Sequence, residues 1–319
     1  MWKEKFDEIE TTDSFDVIKE KYEKITPIAL DILRFAKLNL KLDMKALDYA
    51  ESIEKRITEH HKCELAFPVN ISVNEIAAHY TPSYNDELKF SENMVVKVDI
   101  GICYDGYIAD FAFTKDFSEK NNDLLESCAN ALVNALENIK EGNKTNKIGK
   151  IIEQKISEKG FKPIANLTGH MIKKYQLHAG ISIPNVGNSN DEVAHTFKTG
   201  QIFAVEPFAT KGNGYVEEKD SIEIFSLENP INPRMRHSRE VLEYIKKAHP
   251  KLPFAERHLY KKFNSRIVVS TALRELLLNG SLYPYPVLAD KDIVAQFETT
   301  VIVDKDSCIE IVPVEEIIN

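Results

Sequence analysis

Cysteine is scarce and scattered. The four thiols, Cys63, Cys103, Cys128 and Cys308, form no C-x-x-C pair and no disulfide-like spacing, which excludes a disulfide-stapled secreted scaffold and suits a reducing cytosol. Long apolar runs are missing too, since nothing approaches the roughly 18 residues of a membrane span. The opening stretch, Met1 to Glu8, is charged where a signal peptide would be apolar. A cytoplasmic protein with no membrane partner is therefore expected. No low-complexity stretch and no obvious short repeat is present. Positive charge is in deficit: the net charge of −9 argues against DNA or RNA as the partner of the whole surface. One region departs from that balance. Residues 234–266 hold ten Lys/Arg against three Asp/Glu, a local +7 that leaves −16 for the remainder.

What is present describes an ordinary globular chain. Its 319 residues are 43% hydrophobic and 29% charged, enough for one large domain or two smaller ones at about 150 residues each. Ile18, Tyr22, Ile25, Ala29, Ile32 and Phe35 recur at helical spacing over 15–38, and Pro27 should break or kink that helix. Asp43 can cap a second helix with the stripe Leu47, Ala50, Ile53 and Ile57. Helices are also predicted from Ser118 or a neighbour through Ile139, and from a Thr145 cap to a stop at Gly160. Strands are predicted at 164–169, 178–184, 201–208, 221–226, 293–303 and 307–314. Residues 231–284 read as an inserted helical unit, with helices at 238–248, 254–262 and 268–279. An α/β (α+β) class follows, as one domain over 1–319 carrying that insert.

The most informative stretch is Met94 to Thr114, where two β-branched apolar runs flank Asp105-Gly106, a strong two-residue hairpin signal. That turn sets Tyr104 opposite Tyr107 and Gly101 opposite Asp110, so Asp99 and Asp110 share a face one diagonal step apart. Diagonal neighbours lie roughly 7 to 8 Å apart, within reach of one metal ion or a close pair. Gly101 leaves room opposite Asp110. Two aspartates alone fit a wet sheet face better than a metal. Three later positions change the balance. Alternation over 201–208 puts Glu206 among Ile202, Ala204 and Phe208, a carboxylate in an apolar row that needs a partner. Glu298 shares a face with Gln296 and Thr300, while Phe297, Val301 and Val303 look to a core. Gly169 frees the backbone to bring His170 into a loop position. Singly, each is more often a satisfied acid, an edge residue or a surface histidine. Together, four carboxylates and one imidazole suit a pair of divalent ions such as Mn, Fe, Co or Zn.

Several stretches carry a family resemblance: Ala66-Phe67-Pro68, Ala77-Ala78-His79-Tyr80-Thr81-Pro82, Asp99-Ile100-Gly101 through Asp110, Gly169-His170, Leu177-His178-Ala179-Gly180, Ala204-Val205-Glu206-Pro207-Phe208, Tyr283-Pro284-Tyr285-Pro286 and Ala295-Gln296-Phe297-Glu298. The chain resembles the type II methionine aminopeptidases of the archaeal and eukaryotic kind, within the pita-bread metallopeptidases. The resemblance implies a curved antiparallel sheet flanked by helices, with a winged-helix-like insert at 231–284. It implies two divalent ions on Asp99, Asp110, His170, Glu206 and Glu298, Asp110 and Glu298 bridging. His79 and His178 would contact the substrate, Glu206 would shuttle a proton, and Phe67, Leu177, Phe208 and Tyr285 would line the methionine pocket. The implied activity is removal of the initiator methionine from nascent chains when the next residue is small. Thr299 stands where many members have His, outside the ligand set. The absence of a long charged N-terminal extension makes the chain look archaeal.

A monomer is expected, with N-terminal methionyl peptides and nascent chains as partners. The basic insert suggests either a transient contact with ribosomal RNA or simply a solvated surface. Rival readings are a non-catalytic binding protein of the same fold, a proline-specific peptidase with the same ligand order, and, outside this fold, a nucleic-acid-binding module built on the basic helices. All five ligands and both histidines are present, which weighs against the first. The contexts of His79 and Glu206 and the insert weigh against the second, and the acidic remainder against the third.

Overall fold

The computed structural model describes residues 13–187 and 194–319, so the charged opening stretch lies outside the described residues. Helix α1 (Phe15–Asn39) starts where the Ser14 hydroxyl accepts from the Val17 N–H and buries Ile18, Tyr22, Ile25, Ala29 and Ile32. Contrary to the expected break, it runs through Pro27. That proline is on the exposed face, where the carbonyl it leaves unpaired meets water, while Ile25 and Ala29 on either side are fully buried. Helix α2 (Ala46–Glu59) is not capped by Asp43, which sits in the preceding turn at φ 63°; the Leu88 carbonyl accepts the Ala46 N–H instead, at 2.8 Å. Helix α3 (Asn122–Leu136) starts later than Ser118, because the Asp116 carboxylate collects Ser118 and Asn121 into a closed turn first. Thr145 is the first residue of α4 (Thr145–Glu158) rather than its cap, and its N–H donates to the His195 carbonyl.

The described residues form four antiparallel sheets. In the first, β4 (Val95–Tyr104) and β5 (Tyr107–Asp116) form the predicted hairpin in the predicted register, from Tyr104 opposite Tyr107 to Val95 opposite Asp116. Asp105 and Gly106 have φ values of 53° and 87°, the two positive angles of a type I′ turn. On the other edge of β4 lie β1 (Cys63–Leu65) and β2 (Asn70–Val73). A second sheet joins, in order, β16 (Cys308–Glu310), β15 (Thr299–Val303), β9 (Ile202–Val205), β7 (Thr168–Ile172) and β8 (Ser182–Pro184). A third holds β14 (Val294–Gln296), β10 (Phe208–Thr210) and β6 (Lys162–Pro163), and the fourth β12 (Phe254–Ala255), β11 (Glu217–Leu227), β13 (Leu282–Ala289) and β3 (Ile76–Ala78). The 201–208 strand is thus two strands broken at Glu206-Pro207, and 293–303 is two broken at Phe297-Glu298.

The large core packs α2, α3 and α4 on the hairpin and on β9 and β15, through Ile53, Val98, Phe111, Leu132, Ile152, Phe203 and Val301 among others. Between β11 and β13 the chain forms α5 (Arg236–Ala248), α6 (Glu256–Phe263) and α7 (Arg266–Leu278), which share a core with Phe225, Leu227 and Leu282 of those strands. The last turn, α8 (Val314–Ile318), was not anticipated.

Candidate metal centre and substrate cavity

Ala112 is one point at which two sheets meet. Ala112 of β5 pairs with Asp99 on one side and, by a pair of backbone hydrogen bonds of 3.2 and 3.0 Å, with Glu298 on the other. Lateral neighbours share a face, and so does Asp110, two residues before Ala112. Three carboxylates are therefore brought together by strand register alone. Ala204 of β9 plays the matching part on the second sheet, between His170 of β7 and Thr300 of β15, with Glu206 two residues beyond it. The Thr300 hydroxyl ties the halves together: it accepts from the Asp110 N–H at 2.8 Å and donates to the Asp110 carbonyl at 2.9 Å.

The result is one cluster. His170 Nε2 lies 3.6 Å from Asp110 Oδ2 and 3.5 Å from Glu206 Oε1. Asp110, His170 and Glu298 each offer a ligand atom, all within 4.8 Å of one another. Gln296 Nε2 donates to Glu298 Oε2 at 3.0 Å. Burial, and then mutual repulsion, holds the Asp110, Glu206 and Glu298 carboxyls well above their ordinary range, and burial lifts Asp99 to about 7. Burial also pushes His170 down to about 3, so its imidazole is neutral and free to ligate. Asp99 Oδ1 and Asp110 Oδ1 are buried with no hydrogen-bond partner among the described residues. Buried oxygens without partners are costly, and a divalent cation is the partner that would satisfy them while reversing the pKa shifts. The donor set fits a hard to borderline divalent ion.

Gly101 and Gly169 both matter, for reasons other than those expected. His170 is in a strand, not a loop. Gly169 is needed because a Cβ there would lie 2.5 Å from the Ala204 carbonyl oxygen. At Gly101 a Cβ would lie 2.3 Å from Phe67 Cε1, so the room opposite Asp110 is filled by the Phe67 ring.

A cavity of about 80 Å³ opens beside the carboxylates, walled by Phe67, Ala78, Leu177, Ile224, Pro253 and Tyr285 and by the rings of His79 and His178. His79 Nδ1 is 3.1 Å from the Pro286 carbonyl, an acceptor only, so Nδ1 carries the proton and Nε2 the lone pair. Burial holds this ring at about 4, hence neutral. The His178 ring stands 4.4 Å from that of His170, centroid to centroid, and 6.4 Å from that of Tyr285. Phe208 is not in the wall. Alternation fails at Pro207, so Phe208 opens the next strand and packs with Ala77, Ile164, Val216 and Val294. Pro253 and Ile224 escaped the sequence reading because no local pattern distinguishes them from core.

The profile of metallopeptidase family M24 matches residues 20–274. A methionine aminopeptidase of Thermococcus onnurineus is 45% identical over 269 residues, covering 84% of this chain and 90% of that one. Among solved structures, a thermophilic Arx1 superposes with a TM-score of 0.79 at 18% identity, covering 95% of this chain and 94% of that one. The methionine aminopeptidase of Rickettsia prowazekii gives 0.65 at 18% identity, with 92% and 98% covered, so the pita-bread architecture is shared. The chain belongs to metallopeptidase family M24 and, within it, to the methionine aminopeptidases.

Proposed function

We propose that this chain removes the initiator methionine from nascent proteins with a small second residue, using two divalent ions, Mn, Fe, Co or Zn, held by Asp99, Asp110, His170, Glu206 and Glu298. One observation carries the proposal: four carboxylates, those of Asp110 and Glu298 buried and those of Asp99 and Glu206 partly so, converge with a neutral imidazole on the lining of one small cavity, in a chain 45% identical to a methionine aminopeptidase. When bound, such ions supply Lewis acidity toward the amide carbonyl and lower the pKa of the attacking water.

The chain's own residues do the rest. Glu206, which lines the cavity with its Oε1 3.5 Å from His170 Nε2, takes the proton from the attacking water and passes it to the departing amine. The His79 Nε2 lone pair is available to the N–H of the scissile amide, and His178 to the oxygen that gains charge as the carbonyl is attacked. Phe67, Leu177 and Tyr285, joined by Ile224 and Pro253, hold the methionine side chain. A volume of about 80 Å³ suits one side chain. We treat residues 1–319 as one catalytic domain with 231–284 inserted in it; the core that α5, α6 and α7 share with β11 and β13 supports this.

The test is release of free methionine from Met-Ala-Ser and Met-Leu-Ser peptides. Release from the first at least about tenfold faster than from the second is expected, a discrimination of about 1.4 kcal/mol; no release from either with any of the four ions would overturn the proposal. Exposed Arg234, Arg236, Arg239 and Lys262 of the insert support a transient contact with ribosomal RNA. Salt-sensitive cosedimentation with ribosomes should be lost when these four become alanine, and retention would end that part.

A further inference from the structure

His79 holds a backbone angle that residues with a side chain rarely adopt, φ 64°. Such strain persists only where the surroundings over-determine it. Here they are specific. The Tyr80 carbonyl accepts from the Ile71 N–H at 2.7 Å, and the Thr81 hydroxyl donates to the Val69 carbonyl at 2.7 Å. From the other side Arg257 Nη1 donates to that hydroxyl at 2.6 Å and to the Pro82 carbonyl at 2.9 Å.

Arg257 comes from α6 of the insert, 176 residues from Thr81, and is only 1% exposed. Its Nη2 donates to Glu54 on α2. The second Glu54 oxygen lies 3.1 Å from His258 Nε2, and the first accepts from the Val69 N–H at 3.2 Å. Since the Ala255 N–H donates to His258 Nδ1, Nε2 carries the proton and donates to Glu54. The segment that frames His79, from Val69 to Pro82, is thus held at both ends by one buried guanidinium–carboxylate pair. A buried pair roughly breaks even in stability against apolar residues, so stability alone does not account for it. Its geometry does something an apolar cluster cannot, because a planar fork serves Thr81, Pro82 and Glu54 together.

We propose that Arg257 is a positioning residue, through which the inserted segment holds His79 in its left-handed conformation and its ring in the cavity wall. Arg257 touches no substrate in this scheme; it acts through Thr81 and Pro82. The inference rests on the reading of His79 as a substrate contact given above.

The test is a double-mutant cycle on the metal-loaded full chain, measuring kcat and KM for Met-Ala-Ser. Thr81→Val removes the bridging hydroxyl and leaves the Glu54–Arg257 pair intact; Arg257→Lys keeps the charge but not the fork. Each should lower kcat by about 10- to 100-fold, the scale of a misplacement near 1 Å, with KM within about twofold. Neither should lower kcat further in a His79→Ala background. A folded Thr81→Val or Arg257→Lys variant with wild-type kcat would overturn the inference, as would losses of equal size in both backgrounds. Wild-type kcat in His79→Ala would instead remove the reading of His79, and the inference with it.

Discussion

Replacing Gly169 with alanine probes the frame of the metal centre without touching a ligand. The new Cβ would lie 2.5 Å from the Ala204 carbonyl oxygen, about 0.9 Å short of an ordinary 3.4 Å contact. That oxygen cannot turn away, because Ala204 is held between His170 and Thr300 in the β-ladder. The overlap must be relieved by moving β7 away from β9, and with it His170 from Glu206, now 3.5 Å apart. Overpacking of this kind costs about 1 to 3 kcal/mol, within the 5 to 15 kcal/mol that typically separates folded from unfolded, so the variant should fold. Catalysis should suffer more. A shift approaching 1 Å in one ligand predicts a loss of about 100-fold in kcat/KM, accompanied by weaker ion binding in calorimetry. A folded Gly169→Ala protein with wild-type kcat/KM and wild-type ion affinity would refute the claim that the β7–β9 spacing sets the site.

Three other outcomes follow from the same geometry. Gly106→Ala adds a Cβ 2.5 Å from the Tyr175 ring at φ 87°; since Tyr175 N–H donates to the Gly106 carbonyl just before Leu177 and His178, a melting temperature a few degrees lower, equivalent to about 1 to 2 kcal/mol, should come with reduced kcat/KM, and an unchanged kcat/KM would detach the hairpin tip from the cavity. Burial would raise the Glu54 carboxyl, but Arg257 and His258 outweigh it and hold it below its ordinary 4.5. Its stabilisation is therefore full above about pH 4.5 and lost as pH falls through the lower folded value. Glu54→Gln should flatten urea stability against pH in that acidic window and cost about 3 to 5 kcal/mol at neutral pH, and an unaltered pH slope would contradict this. Chelating the bound ions should lower the melting temperature, and restoring an ion at about 100 times its dissociation constant should return about 2.7 kcal/mol; identical melting with and without chelator would speak against a structural contribution from the ions.

How much was legible in the sequence depended on whether the signal was local. Asp105-Gly106 carries its turn chemistry in two residues, so the hairpin, its register and the shared face of Asp99 and Asp110 follow from the chain alone. The Gln296, Glu298 and Thr300 face was legible for the same reason, although the strand breaks at Glu298, where the backbone leaves its own ladder to pair with Ala112. Alternation misled at Pro207. A proline cannot donate to a ladder, so the strand ended, Glu206 stayed with the site and Phe208 went to the core. Pro27 does not end its helix, because tertiary burial of Ile25 and Ala29 outweighs one missing hydrogen bond. Charge counting along 234–266 could not see that Arg257 is buried against Glu54 rather than displayed on the surface. The contacts that assemble the site across distant segments, Ala112 with Glu298, Ala204 with His170 and Arg257 with Thr81, have no local sequence signature.

The most direct test of the central claim is to strip the protein of metal and titrate Mn, Fe, Co or Zn back while recording methionine release from Met-Ala-Ser. Release should be absent without ion, rise to a plateau as ion is added, and stay absent at every ion concentration in an Asp110→Ala, Glu298→Ala double variant that still folds. Full release from the stripped protein, or a plateau in the double variant equal to that of the unaltered chain, would contradict it.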